Sequence, residues 1–163
     1  MPGKYSFKDY DKNLSLKVTP ALWLAVVYFL HPYLLLLSSF RSKNPDAAAL
    51  KRMIYPDEFS LVIAILATIP VLLFIYAWSR RSPGGSNLVK YLWRHSAMVL
   101  TIAALLNIAT VFSPLLLGAG HKIHVLGWVQ LGISVLLIVY VQFSRRVKDV
   151  FADFPGEKQA EQV

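Results

Sequence analysis

The chain has 163 residues, of which 56% are hydrophobic and only 16% are charged, and its net charge is +8. Soluble domains usually carry about 25% charged residues, so the composition excludes an ordinary soluble domain and predicts a single-domain membrane protein. The basic residues stand in short clusters between apolar runs, a pattern that argues against nucleic acid as a partner. The absence of cysteine excludes disulfides, thiolate metal sites and a cysteine nucleophile.

Four apolar segments are each long enough to cross a bilayer core, which needs about 20 residues of helix. Thr19 suits the N-cap of the first segment, and Pro20 suits its first helical position, where a missing N–H costs nothing. We therefore predict an all-α, polytopic bundle of four transmembrane helices, with spans over residues 20–40, 59–79, 95–117 and 123–143. Aromatic residues near the ends of these runs are expected to act as interfacial anchors: Trp23, Tyr33, Trp78, Trp93, Trp128 and Tyr140.

The loop between the first two spans predicts a short helix of its own. Asn44 can cap this helix and Pro45 suits its first position, while Leu50, Met53 and Ile54 follow at helical spacing. We expect it to lie at the outer membrane–water interface, and a lid over a ligand is the alternative.

Lysine and arginine are divided unevenly between the two sides of the predicted bundle. Of the 17, 12 fall in the N-terminus, the second loop and the C-terminus, and 5 fall in the first and third loops. Because positive charge is retained on the cytoplasmic side, both termini are expected to be cytoplasmic. Turn-forming residues make 81–87 a flexible connection, and 149–163 is predicted as a flexible tail.

The spans lack the residues that most membrane chemistry needs. No Asp or Glu occurs between Glu58 and Asp149, and none occurs in residues 20–40. Proton- and ion-coupled transporters usually depend on such an intramembrane carboxylate. Serine and threonine have no histidine–acid partner at recognisable spacing, and no Gly-rich phosphate loop is present. We therefore expect no enzyme activity, no catalytic residue and no cofactor.

Three polar side chains inside the spans are candidate intramembrane contacts. His31 stands beside Pro32, whose missing N–H frees a backbone carbonyl. Its imidazole could satisfy that carbonyl or bond to a neighbouring helix, and the alternative is a proton or ligand contact. Asn107 and Gln130 are expected to face other helices and form hydrogen bonds there.

The remaining histidines predict neither a metal site nor a haem site. His121 and His124 are spaced i, i+3, but a zinc site needs a third or fourth ligand. His95 lies at the opposite membrane face from that pair, and His31 lies at a third depth, so no two histidines are level enough to hold a b-type haem. A contact between His95 and lipid headgroups is the expected role of that residue.

The chain resembles a YfeZ-like family of uncharacterised bacterial inner-membrane proteins. The resemblance is carried by these residues: Asp9-Tyr10-Asp11-Lys12, Leu16-Lys17, Pro20, Trp23, Tyr55-Pro56-Asp57, Phe59, Pro70 and Arg80-Arg81. It implies a polytopic inner-membrane protein of Gram-negative bacteria and supplies no activity. The family often has arginine, then threonine or proline, then tryptophan where this chain has His31-Pro32-Tyr33, so no charged role is carried over to that position.

Two functions remain after these exclusions. The first is a non-catalytic accessory, assembly or scaffold subunit of a membrane complex, with the lipid bilayer and a protein partner or second copy as its contacts. The rival is a small-molecule or lipid transporter whose polar lining uses His31, Asn107 and Gln130. A water-filled groove that joins these three residues would favour the transporter, and tight packing would favour the subunit.

Overall fold

The structure, a computed structural model, describes residues 5–11, 15–41, 45–55, 58–116 and 125–155. These ranges contain no strand, and their one element of extended pairing is an isolated bridge between Tyr10 and Leu16. The predicted all-α class is confirmed.

After a single 3-10 turn at Phe7–Asp9, the described residues form helices that follow one another closely. Their bounds are α1 (Pro20–Phe29), α2 (His31–Arg41), α3 (Pro45–Ile54), α4 (Glu58–Ala67), α5 (Ile69–Ser79), α6 (Asn87–Arg94), α7 (Ser96–Leu116), α8 (Val125–Phe143) and α9 (Arg145–Ala152).

Three stretches are long and apolar enough to cross a membrane without a sharp bend, namely Glu58–Ser79, Ser96–Ser113 and Val125–Phe143. The helices α1 and α2 pass the same test together, but they meet at an angle of 51°. Counted as one broken span, this pair completes the predicted bundle of four. The bend at Pro32 follows from its missing N–H and its ring, which cannot continue a regular helix.

The short helix predicted in the first loop is present as α3, which packs against α2 and α8. Asn44, its predicted cap, lies outside the described residues. At the other end of the bundle, Thr19 caps α1 as predicted, because its hydroxyl accepts from the Leu22 N–H at 3.4 Å. The same Thr19 hydroxyl lies 2.9 Å from the Tyr140 hydroxyl of α8. This contact places the start of α1 beside the end of α8.

The N-terminal segment, α6 and α9 close this end of the bundle, which we call the capped end. Trp93 of α6 is completely buried there, with its ring against Phe74 and Phe151. The expectation that Trp93 anchors the chain at the lipid interface is therefore wrong. Val89 of α6 and Val147 and Val150 of α9 are buried beside it, because each of these helices turns one apolar face inward.

The predicted tail boundary at residue 149 also needs correction. Residues 149–152 belong to α9, and Val150, Phe151 and Phe154 are buried in the core of the capped end. The apolar spacing of these residues places one face of α9 against α6, α7 and α8. Residues 156–163 of the predicted tail lie outside the described residues.

Arg81 joins the two termini to the loop that follows α5. Its guanidinium donates to the backbone carbonyl of Leu16 at 3.0 Å and to that of Asp153 at 2.7 Å, and it lies 4.3 Å from the centre of the Trp93 ring. The Asp153 carboxylate in turn accepts from the Leu16 N–H at 2.7 Å. Burial lowers the pKa of Arg81, while the charges of Asp11 and Asp153 oppose that shift, and an arginine remains charged in either case.

We predict that Arg81→Gln lowers the free energy of unfolding by about 1–3 kcal/mol, because the Leu16 and Asp153 carbonyls each lose a charged donor. Arg80→Gln is the matched control, since Arg80 is the preceding residue and its side chain is exposed. Denaturant unfolding in detergent measures both. Equal stability of the two variants would contradict the role given to Arg81.

Candidate functional site

The site is built around the break in the first span. Pro32 has no N–H, so the Tyr28 carbonyl four residues earlier loses its usual helical donor. The structure places the Nδ1 atom of His31 2.6 Å from that carbonyl oxygen. A carbonyl can only accept, so Nδ1 carries a proton and donates to it. His31 thus supplies the hydrogen bond that Pro32 cannot.

The other ring nitrogen of His31 reaches a different element. Its Nε2 atom lies 2.8 Å from the hydroxyl of Tyr55, the residue that follows α3. The two rings are nearly parallel, with an angle of 14° and centres 6.1 Å apart. With Nδ1 protonated, a neutral imidazole accepts the Tyr55 proton at Nε2. His31 therefore connects the bend in the first span to the first loop.

Tyr28 carries the network from the bend to α7 and α8. Its hydroxyl lies 2.9 Å from the Gln130 carbonyl oxygen, 3.2 Å from Ser134 Oγ and 3.3 Å from Asn107 Oδ1. The hydroxyl has a single proton, and it donates this proton to the Gln130 carbonyl. This contact is the shortest of the three, and a carbonyl oxygen can only accept. Ser134 gives its one hydroxyl proton to Asn107, so its oxygen lies beside the tyrosine hydroxyl without donating to it.

Asn107 is the centre of the α7–α8 contact. Its Oδ1 atom accepts from Gln130 Nε2 at 3.1 Å and from Ser134 Oγ at 3.0 Å. The three side chains are 3%, 9% and 0% exposed. Amide and hydroxyl groups this deeply buried need internal partners, and each one here finds a partner on the facing helix.

Tyr55 closes the arrangement on the loop side. Burial raises the pKa of its hydroxyl well above the usual value near 10, Tyr28 adds to the rise, and a hydrogen bond with the Gln130 side chain opposes it. The Tyr55 hydroxyl therefore keeps its proton and remains a donor. Its contacts with His31 and Gln130 join two of the predicted residues. The third, Asn107, is joined to them by its hydrogen bond with the Gln130 side chain. We call these six residues the polar network: Tyr28, His31, Tyr55, Asn107, Gln130 and Ser134.

The predicted polar contacts His31, Asn107 and Gln130 all lie in one network in the structure. Tyr28, Tyr55 and Ser134, which connect them, were not among the predicted contacts. Two of these carried a signal in the sequence, since Tyr28 lies four residues before Pro32 and Ser134 lies one helical turn after Gln130. Tyr55 carried none, because its contact depends on how the first loop folds back over the bundle.

A second proline is treated in the same way as Pro32. Pro114 lies near the end of α7, and its missing N–H leaves the Thr110 carbonyl without its helical donor. The Ser113 hydroxyl donates to that carbonyl at 2.8 Å. In both spans the residue before the proline donates to the carbonyl that the proline leaves open. His31 therefore supplies a hydrogen bond to the backbone in the same way as Ser113 does in α7.

The described residues contain no group of three or more metal-ligating side chains. His121 and His124, the histidine pair considered for metal binding, lie outside the described residues. His95 Nδ1 lies 2.8 Å from the Tyr91 carbonyl, and its ring lies against the Tyr91 ring. A local backbone contact thus occupies one nitrogen of His95.

Residues 5–153 match the model of a family described as "Protein of unknown function (DUF2919)". The chain belongs to this family. Comparison with curated proteins and with solved structures found no match. The family match covers every helix from α1 to α9, so the polar network and the capped end both lie within the family's domain.

We predict that His31→Leu lowers the free energy of unfolding by about 1–3 kcal/mol, because the Tyr28 carbonyl loses the His31 donor and the Tyr55 hydroxyl loses the His31 acceptor. His31→Asn retains a donor near the position of Nδ1, and His31→Gln retains a polar atom near that of Nε2, so each is expected to cost less. Tyr55→Phe is the control that removes the contact at His31 Nε2, together with the Tyr55–Gln130 hydrogen bond, and keeps the contact at His31 Nδ1. Unfolding in detergent measures the series, and a leucine variant as stable as the wild type would contradict the bracing role.

Proposed function

We propose that the protein is a non-catalytic accessory or assembly subunit of a complex in the bacterial inner membrane. The observation that carries this proposal is the use made of the polar network. His31 forms its hydrogen bonds with the broken first span and with the first loop, and Gln130 donates to Asn107. Groups used in this way fix the shape of the bundle, and a bundle of fixed shape is suited to docking against another membrane protein.

The outer surface of the bundle supports a role in helix contacts. In α8, 17% of the apolar window is buried inside the protein, against 39% for Glu58–Ser79 and for Ser96–Ser113. Leu136, near the middle of α8, is 69% exposed. Helix association in membranes depends on packing between such surfaces. Of these three spans, α8 has the smallest buried share, and we assign it to partner contact.

The capped end supports a cytoplasmic position for both termini. The N-terminal segment, the loop after α5 and the segment around α9 meet there, joined by Arg81 and by the ion pair of Arg146 with Asp9 at 2.8 Å. Together with α6, these three segments hold 12 of the 17 lysines and arginines, which is the distribution expected of a cytoplasmic face. The resemblance to YfeZ-like proteins supports the Gram-negative inner membrane as the location.

One observation favours the rival function of transport. The three residues proposed to line a pathway do lie in one network, linked through Tyr28 and Tyr55. A transporter that uses His31 to move protons or hold a ligand would lose function in both His31→Asn and His31→Gln while the protein stays stably inserted. A subunit in which His31 only braces the bend would keep its function in both variants.

Site-specific photo-crosslinking tests the subunit proposal. We expect a photoreactive phenylalanine analogue in place of Leu136 to give a discrete adduct with another membrane protein, identified by mass spectrometry after purification in mild detergent. Leu24 is the matched control, because it is 71% exposed on α1, which is not the helix assigned to partner contact. An adduct only with lipid, or only with a second copy of the chain, would contradict the proposal.

A further inference from the structure

A pocket opens at the edge of the capped end, where α6 ends, α7 begins and α9 packs across them. Its volume is about 480 Å³, which is in the range of small-ligand pockets. The described residues that line it are Arg94, Ala97, Lys148, Phe151 and Ala152. The pocket lies away from the polar network and shares no described residue with it.

The charged side chains among the described residues that line this pocket are both positive. Arg94 comes from α6 and Lys148 from α9, and no carboxylate is found among the described residues that line the pocket. The nearest acid along α9, Asp149, accepts a hydrogen bond from the Tyr5 hydroxyl of the N-terminal segment. Two cations held on separate helices around an open cavity attract an anion.

The depth of the pocket indicates which anion it meets. Arg94 stands two residues before Ser96, where the apolar span begins, so the pocket lies at the level of the lipid phosphates. Ala97 and Phe151 give it an apolar wall. Met98 and Ile102 continue an exposed apolar face one turn apart along α7, beside which acyl chains can lie.

We propose that this pocket binds the phosphodiester headgroup of an anionic phospholipid, with Arg94 and Lys148 on the phosphate and the acyl chains along α7. Arginine and lysine are the usual partners of phosphate oxygens. Such a lipid would sit against both α6 and α9, and so it would hold the capped end to the membrane surface. A free phosphate ion offers the same oxygens to Arg94 and Lys148, so the test has to distinguish this ion from the lipid.

The test is native mass spectrometry of the full chain in mild detergent, with phosphatidylglycerol or phosphatidylcholine added at matched concentration. Each cation near the membrane surface strengthens binding of anionic lipid about fivefold, so the double variant Arg94→Gln/Lys148→Gln is expected to lose phosphatidylglycerol binding by about 25-fold. Its binding of phosphatidylcholine should not change.

The matched control is Arg80→Gln/Arg145→Gln, which removes two exposed cations from the same end of the bundle without touching the pocket. This control should retain phosphatidylglycerol as the wild type does. Equal retention by both double variants, or equal loss from both, would overturn the proposal. Displacement of the lipid by millimolar inorganic phosphate would also overturn it, because the ligand would then be the free ion.

A further pair keeps the test decisive if the double glutamine variant fails to fold. Arg94→Lys/Lys148→Arg retains both charges and should retain the lipid, whereas the single Lys148→Gln should lose about fivefold. Phosphatidylglycerol binding that is the same in this pair would contradict the proposal.

Discussion

The fold depends on how the chain satisfies one backbone carbonyl inside the membrane. A proline in a span leaves the carbonyl four residues earlier without a donor, and hydrocarbon offers no water to replace it. In this chain Pro32 opens the Tyr28 carbonyl, and His31 closes it. The second nitrogen of the same ring then binds Tyr55. A local repair of the backbone thus becomes the point at which the first loop is attached to the bundle.

Tyr28 and His31, the two residues of this contact, also connect the first span to the rest of the bundle. The Tyr28 hydroxyl donates to the Gln130 carbonyl and the Gln130 side chain donates to Asn107, so hydrogen bonds join the bent first span to α8 and α8 to α7. Apolar packing alone would leave the rotation of these helices about their own axes weakly defined. At the capped end, Arg81 connects the N-terminal segment to the residues after α9 by donating to the carbonyls of Leu16 and Asp153. The membrane half and the capped end therefore each have one polar centre that connects elements distant in sequence.

Much of this architecture was predictable, and the errors have a common cause. The four spans follow from apolar length alone, and the cap at Thr19 follows from local chemistry. The capped end was missed because α6 and α9 are short, charged and adjacent to turns, so that only tertiary packing shows Trp93 and Phe151 to be buried. Of the polar network, the isolated intramembrane groups could be named from sequence. Tyr28 carried a signal in its spacing from Pro32, whereas Tyr55 carried none, because its contact depends on how the first loop folds back over the bundle.

Whether His31 braces the broken helix is decided by its tautomer in a lipid bilayer, because the bracing bond needs a proton on Nδ1. Nitrogen-15 solid-state NMR of histidine-labelled protein reports the protonation of each ring nitrogen, and His31→Asn identifies the signal among the four histidines. The account predicts a neutral ring at pH 7, protonated at Nδ1 and hydrogen-bonded at an unprotonated Nε2, with the Nε2 signal shifted in Tyr55→Phe. A ring protonated at Nε2 alone, or one unaffected by Tyr55→Phe, would contradict the claim that His31 braces the broken helix.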